Sequence, residues 1–143
     1  MSSSARYVLD TNTLVSAVLF EHSSPGQALR RALKRGEVLV SPSTLEELAE
    51  VLQREKFDRY VTTAEREEFL EAFVERATLR EPTEELRICR DAKDDKFLEL
   101  AVSGGAGYLI SGDKDLRSLN PFCDIAIVTA AEFLTATERE EDG

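Results

Sequence analysis

Four short apolar runs in this chain each lead into a polar, mostly acidic cluster. Arg6-Tyr7-Val8-Leu9 runs into Asp10-Thr11-Asn12-Thr13, and Val38-Leu39-Val40 into Ser41-Pro42-Ser43-Thr44, with Glu46 and Glu47 beyond. Leu86-Arg87-Ile88-Cys89 precedes Asp91, Asp94 and Asp95, and Tyr108-Leu109-Ile110 runs into Ser111-Gly112-Asp113-Lys114-Asp115. In a parallel α/β sheet the C-terminal strand ends share one edge, where such folds place their sites. Carboxylates far apart in the chain then meet in space, and they repel one another unless a cation sits among them. Hard divalent ions such as Mg²⁺ or Mn²⁺ prefer oxygen ligands. The pattern predicts an acidic metal pocket, a kind that often handles phosphate esters.

Size and charge narrow the choices. At 143 residues the chain can build one core but not two. A hydrophobic fraction of 42% is enough to exclude a disordered chain. The longest apolar stretch, Leu14 to Phe20, is too short to cross a bilayer. The start, Met1 to Arg6, carries no apolar segment, so no signal peptide and a cytoplasmic location are expected. Cys89 and Cys123 lack metal-ligand spacing and read as buried free thiols. The single histidine, His22, falls in a polar loop, which argues against zinc or histidine-based catalysis. A net charge of −10 argues against broad nucleic-acid binding. It does not exclude a nuclease, because a metal can supply positive charge at the phosphate. Arg30, Arg31, Lys34 and Arg35, and then Arg54, Lys56 and Arg59, read as solvated helix faces.

Strand and helix signals alternate, as in an α/β sandwich. Leu14 to Phe20 reads as a short buried helix, and Pro25 opens a second that Gly36 ends. Ser41 and Pro42 cap and open a third, running to about Arg54. Thr62 to Glu65 is a capping box before a helix with Phe69, Leu70, Phe73 and Val74 on one face. The third strand is either Ala77 to Arg80 or Leu86 to Cys89, or both. Asp94 begins a helix that buries Phe97, Leu98 and Ala101 and stops at Gly104-Gly105. Ile125 to Val128 is the fifth strand, and Thr129 to Glu132 a second capping box.

Each candidate acid has an ordinary explanation. Asp10 could simply cap a helix, as could Asn12. Periodicity does not choose between Glu46 and Glu47. One of Asp94 and Asp95 fits a helix N-terminus, where the dipole favours negative charge. Asp113 and Asp115 fit a turn with local hydrogen bonds. The shared sheet edge is what raises the functional reading.

Together these segments resemble the PIN-domain nuclease family, from Tyr7 to about Leu134. Val8 to Asn12 resembles its opening strand and first metal aspartate, Asp10. Ser41 to Leu48 resembles its second segment, where the acid directly precedes a leucine, which selects Glu47. Asp94 to Ala101 resembles the third, with the metal aspartate at Asp95. Leu109 to Asp115 resembles the fourth, with Asp113 as main acid and Asp115 as helper; Ser111 keeps the hydroxyl where threonine is commoner. The subgroup most resembled is the bacterial and archaeal set grouped with VapC-type toxins.

The resemblance implies a three-layer α/β/α sandwich with a central parallel sheet of about five strands. It implies one domain over residues 1–143, with its core at about 6–135 and an acidic tail at 136–143. It implies a metal-dependent ribonuclease, the toxin of a type II toxin–antitoxin pair, with Mg²⁺ or Mn²⁺ on Asp10, Glu47, Asp95, Asp113 and Asp115. Asn12 and Ser111 would orient those carboxylates. RNA, a protein antitoxin and a second copy of the chain are the implied partners, with no membrane. Competing classes are an aspartyl-phosphate phosphotransfer protein, phosphatase-like or receiver-like, and a noncatalytic PIN-like binding module. The phosphatase pattern wants a second aspartate where Asn12 stands.

Overall fold

The computed structural model describes residues 5–142, with side chains as far as Glu138. The reading of the first residues as lacking a leader falls largely outside the described part. The elements alternate as follows: β1 (Ala5–Leu9), α1 (Thr11–Leu19), α2 (Ser24–Arg35), β2 (Gly36–Val40), α3 (Pro42–Leu52), α4 (Thr63–Arg76) and β3 (Thr78–Leu79). After a long irregular segment come α5 (Asp95–Gly104), β4 (Tyr108–Ile110), α6 (Lys114–Arg117), β5 (Ala126–Val128) and α7 (Ala130–Asp142).

The strands form one sheet in the order β3-β2-β1-β4-β5, and every pairing is parallel. Strands covered on both faces read as continuous apolar runs, which is why Tyr7-Val8-Leu9 shows no polar alternation. Side chains still alternate between faces. Tyr7, Leu9, Val38, Val40 and Ile110 point into one core, shared with α1, α2, α3, α4 and α7. Val8, Leu39, Leu109 and Ile127 point into the other, shared with α5 and α6. The result is the expected α/β/α sandwich. Among the described residues no helix is long and apolar enough to cross a membrane.

Local chemistry sets the element ends. Thr62 and Glu65 cap α4 reciprocally, and Thr129 and Glu132 do the same at the start of α7. Gly105 ends α5 in the left-handed region, at φ 67°, where a side chain would be strained. At Gly36 a Cβ would lie 2.0 Å from the Ala5 carbonyl oxygen, so only glycine lets β2 pass β1 there.

The third strand is the earlier alternative: Thr78 and Leu79 pair with Leu39 and Val40, and Leu86 to Cys89 is not a strand. The N–H groups of that irregular segment go to side chains of α5 instead. Leu86 N donates to Glu99 Oε2 at 2.8 Å, and Ile88 N and Cys89 N donate to Asp95 Oδ1. Other expectations also need correction. Val74 is exposed, while Phe73 and Phe133 are fully inside, Phe133 packed edge-on to Tyr7 and Tyr108. Cys123 is exposed and Cys89 only half-buried. The acidic run expected as a tail continues α7, and Thr137 is fully buried, with Arg31 Nη1 donating to its hydroxyl. Gly143 lies outside the described residues.

Candidate functional site

The sheet order reverses direction at the border of β1 and β4, so a crevice opens past their C-terminal ends. Asp10 sits at that border. Its N–H continues the ladder to Ile110 O at 3.1 Å, and its side chain caps α1 by accepting from Thr13 N at 2.9 Å. Its other oxygen accepts from the Ser111 hydroxyl. Ser111, fully buried just past β4, also accepts from Asp113 N at 3.0 Å. One hydroxyl thus fixes Asp10 and the backbone of Asp113 together. Burial pushes the Asp10 carboxyl above its ordinary value; the Ser111 and Thr13 bonds oppose this, and the charge of Asp113 adds to it.

The third acid comes from the start of α5. Burial pushes the Asp94 carboxyl up to about 6, helped by the charge of Asp113 and a side-chain hydrogen bond to it, then by Asp91 and Asp10. The charges of Asp94 and Asp113 therefore act on one another and, more weakly, on Asp10. The family resemblance places the third acid at Asp95, which lines the cleft beside the site and has one oxygen engaged by backbone. Its Oδ1 takes the Ile88 and Cys89 N–H groups at 3.1 and 2.7 Å. Burial raises Asp95, but the Cys89 and Ile88 bonds outweigh it and hold the carboxyl below its usual value. The same neighbourhood, burial first and Asp95 next, pushes the Cys89 thiol up to about 12, so it is not a nucleophile at neutral pH.

On α3, Glu46 faces solvent and Glu47 is half-buried. Glu47 accepts from the Thr11 hydroxyl and, at 3.2 Å, from Lys96 Nζ. Asp115 is exposed; its N–H donates to Asp113 Oδ1 at 2.7 Å, and its carboxylate lies 3.9 Å from Arg90. Asn12 is exposed, and no hydrogen bond ties it to a carboxylate among the described residues. Of the two residues expected to orient acids, only Ser111 does so.

Among the described residues, no three acidic, histidine or cysteine side chains stand close enough to form a ready-made ion site. The donor chemistry nevertheless fits a hard divalent cation: the candidate ligands are all oxygen, and burial, with neighbouring carboxylates adding to it, raises two of the carboxyls. This fixes a sign. A carboxyl with a higher pKa folded than unfolded favours folding while protonated and loses that advantage as pH rises through the folded value. For Asp94 the loss builds up from the ordinary carboxylate range and is complete once the pH passes about 6, and Asp10 acts in the same direction. Asp95 and Glu37, both held low, act oppositely and lose stability only in more acid solution. Millimolar Mn²⁺ should therefore raise the melting temperature, and more at pH 7.5 than at pH 5.5. Melts with Mn²⁺ and with EDTA at both values check this; a shift equal at both, or absent, sinks the site.

Beside the acids lies a cleft of about 480 Å³ whose walls mix the basic Arg87, Arg90, Lys93 and Lys96 with the acidic Glu85, Asp95 and Glu99. Residues 6–115 match the sequence model of the PIN domain. The chain belongs to the PIN-domain family. A relative from Methanocaldococcus jannaschii, the uncharacterized protein MJ1680, is 33% identical over 116 residues, which span 80% of this chain and 74% of that one. Two solved structures share the fold of this PIN domain. PAE2754 from Pyrobaculum aerophilum superposes with a TM-score of 0.63 at 15% identity, covering 94% of this chain and 91% of its own. VapBC2 from Rickettsia felis, crystallised bound to a DNA fragment from its promoter, gives 0.59 at 16% identity, covering 85% and 96%.

Thr11 and Lys96 of this PIN domain carry no signal along the chain that marks them as site residues. Thr11 follows the first acid directly, and Lys96 follows the third segment's paired aspartates. Both contacts to Glu47 span more than thirty residues, so no local pattern announced them.

Proposed function

We propose that this PIN domain is a metal-dependent ribonuclease acting as the toxin of a type II toxin–antitoxin pair. The observation that carries the reading is Asp10 at the switch point of the parallel sheet, tied through Ser111 to the backbone of Asp113. Asp10, Asp94 and Asp113 would hold Mg²⁺ or Mn²⁺, with Glu47 and Asp115 at the rim. When bound, such an ion supplies a water of lowered pKa and positive charge for the leaving oxygen. The chain's own groups do the rest. Ser111 and the Thr13 N–H fix both oxygens of Asp10. That arrangement suits a ligand better than an attacking nucleophile and disfavours the aspartyl-phosphate class. The Asp115 N–H holds Asp113 in place, and the basic side chains among the mixed charges of the cleft wall offer donors to a phosphate backbone.

We read residues 1–143 as one catalytic unit acting in the cytoplasm. The VapBC2 likeness supports a protein antitoxin as partner, and the family resemblance supports a homodimer. Light scattering should give a dimer mass; the mass of a single chain at high concentration overturns that part. The central test is cleavage of structured and unstructured RNA with Mn²⁺, Mg²⁺ or EDTA. Cleavage is expected with either metal and none with EDTA. Metal-independent cleavage, or none under any condition, counts against the reading.

A further inference from the structure

Asn12 does not orient the acids, and a pocket opens beside it. This pocket, of about 300 Å³, is walled by α1, the starts of α2 and α7, and Gly112. It borders the site directly. Thr13, on its wall, donates its N–H to Asp10, and Gly112 stands between Ser111 and Asp113. A Cβ built on Gly112 would meet no atom within 4 Å, so the space beside that loop is open. Charged residues make up 32% of the chain, yet among the described residues none lines this pocket. The cleft of about 480 Å³, by contrast, is walled by charges of both signs.

The polar groups this pocket does offer are neutral and unengaged. Among the described residues the Asn12 amide and the Ser16 and Ser24 hydroxyls have no hydrogen-bond partner. Pro25 and Ala131 supply apolar wall. The volume stands at the small end of ligand pockets, and apolar walls with a few convergent polar groups suit one small ligand. A phosphate is held best by cationic donors, which are missing from the lining. A nucleobase needs apolar contact for its faces and neutral donors and acceptors for its edge. An amide presents one acceptor and a pair of N–H donors side by side, which complements such an edge. Resting on the ribonuclease reading above, we propose that this pocket receives one nucleobase of the RNA strand, next to the bond that is cut, and that Asn12 reads its edge. Asn12 is then a specificity-determining residue: phosphate contacts position a strand, and base contacts give it a sequence preference.

Cleavage of a randomised single-stranded RNA pool with Mn²⁺ or Mg²⁺, read by sequencing the new ends, tests this. Wild type should favour one base about ten-fold at a position bordering the cut. Asn12→Ala removes the reading group, and Ala131→Phe fills the pocket from an exposed position. Both should still cut the pool, with the preference reduced to about two-fold or less. Binding in EDTA gives a readout apart from turnover. Replacing the favoured base by an abasic ribose should weaken wild-type binding about ten-fold and change binding by either variant about two-fold at most. Cutting without a base preference in wild type, a preference that either variant keeps, or equal wild-type binding of intact and abasic strands overturns the proposal and leaves the ribonuclease reading standing. A wild type that cuts no RNA with either metal overturns that reading and this proposal with it. If Ala131→Phe does not fold, Asn12→Ala and the abasic strand decide.

Discussion

Asp10→Asn should abolish metal-dependent RNA cleavage while leaving the fold intact. Loss of a group that merely supports a metal ligand costs roughly 10- to 100-fold, and loss of a ligand should cost more. Asparagine keeps an oxygen for the Thr13 N–H and so preserves the cap on α1. It also removes a charge that burial already disfavours, so the metal-free protein should melt no lower than wild type. Glu46→Gln is the control, because Glu46 is exposed and outside the site. Cleavage at the wild-type rate by Asp10→Asn would falsify the assigned mechanism. A dead Glu46→Gln beside an active Glu47→Gln would show that α3 presents its other face to the substrate.

The neighbouring aspartates Asp94 and Asp95 should separate catalysis from stability. Asp94→Asn removes a charge that Asp113 and Asp10 repel, so cleavage should be lost while the metal-free melting temperature holds or rises. Asp95→Ala removes the acceptor of the Ile88 and Cys89 N–H groups. A typical hydrogen bond contributes about 0.5–1.5 kcal/mol, so this variant should melt measurably lower. What folds of it should still cleave RNA far better than Asp94→Asn. Thermal melts in EDTA and cleavage per folded molecule give the comparison. The opposite pattern, with Asp95→Ala stable and inactive and Asp94→Asn active, returns the third acid to Asp95.

Much of the scaffold was legible in the chain. Tyr7 to Leu9, Val38 to Val40 and Tyr108 to Ile110 are unbroken apolar runs because parallel strands covered on both faces must be. The capping boxes at Thr62–Glu65 and Thr129–Glu132, and the stop at Gly105, are local hydrogen-bond and φ requirements, so residues a few places apart announce them. Leu86 to Cys89 misled because its N–H groups are satisfied by side chains of α5 rather than by a strand, and no pattern within the segment says so.

That acids follow β1, β2 and β4 and open α5 was legible in the chain, because strand order and polar strand ends are local. Which neighbours each acid meets follows from packing. A helix turns about 100° per residue, so Asp94 and Asp95 aim at different neighbours. Packing of the 80–91 segment gave Asp95 to two backbone N–H groups and left Asp94 with Asp113. Glu47 acquired Thr11 and Lys96 from two other elements in the same way. Charge–charge energies depend on distance and burial, and both are properties of the assembled fold rather than of spacing along the chain.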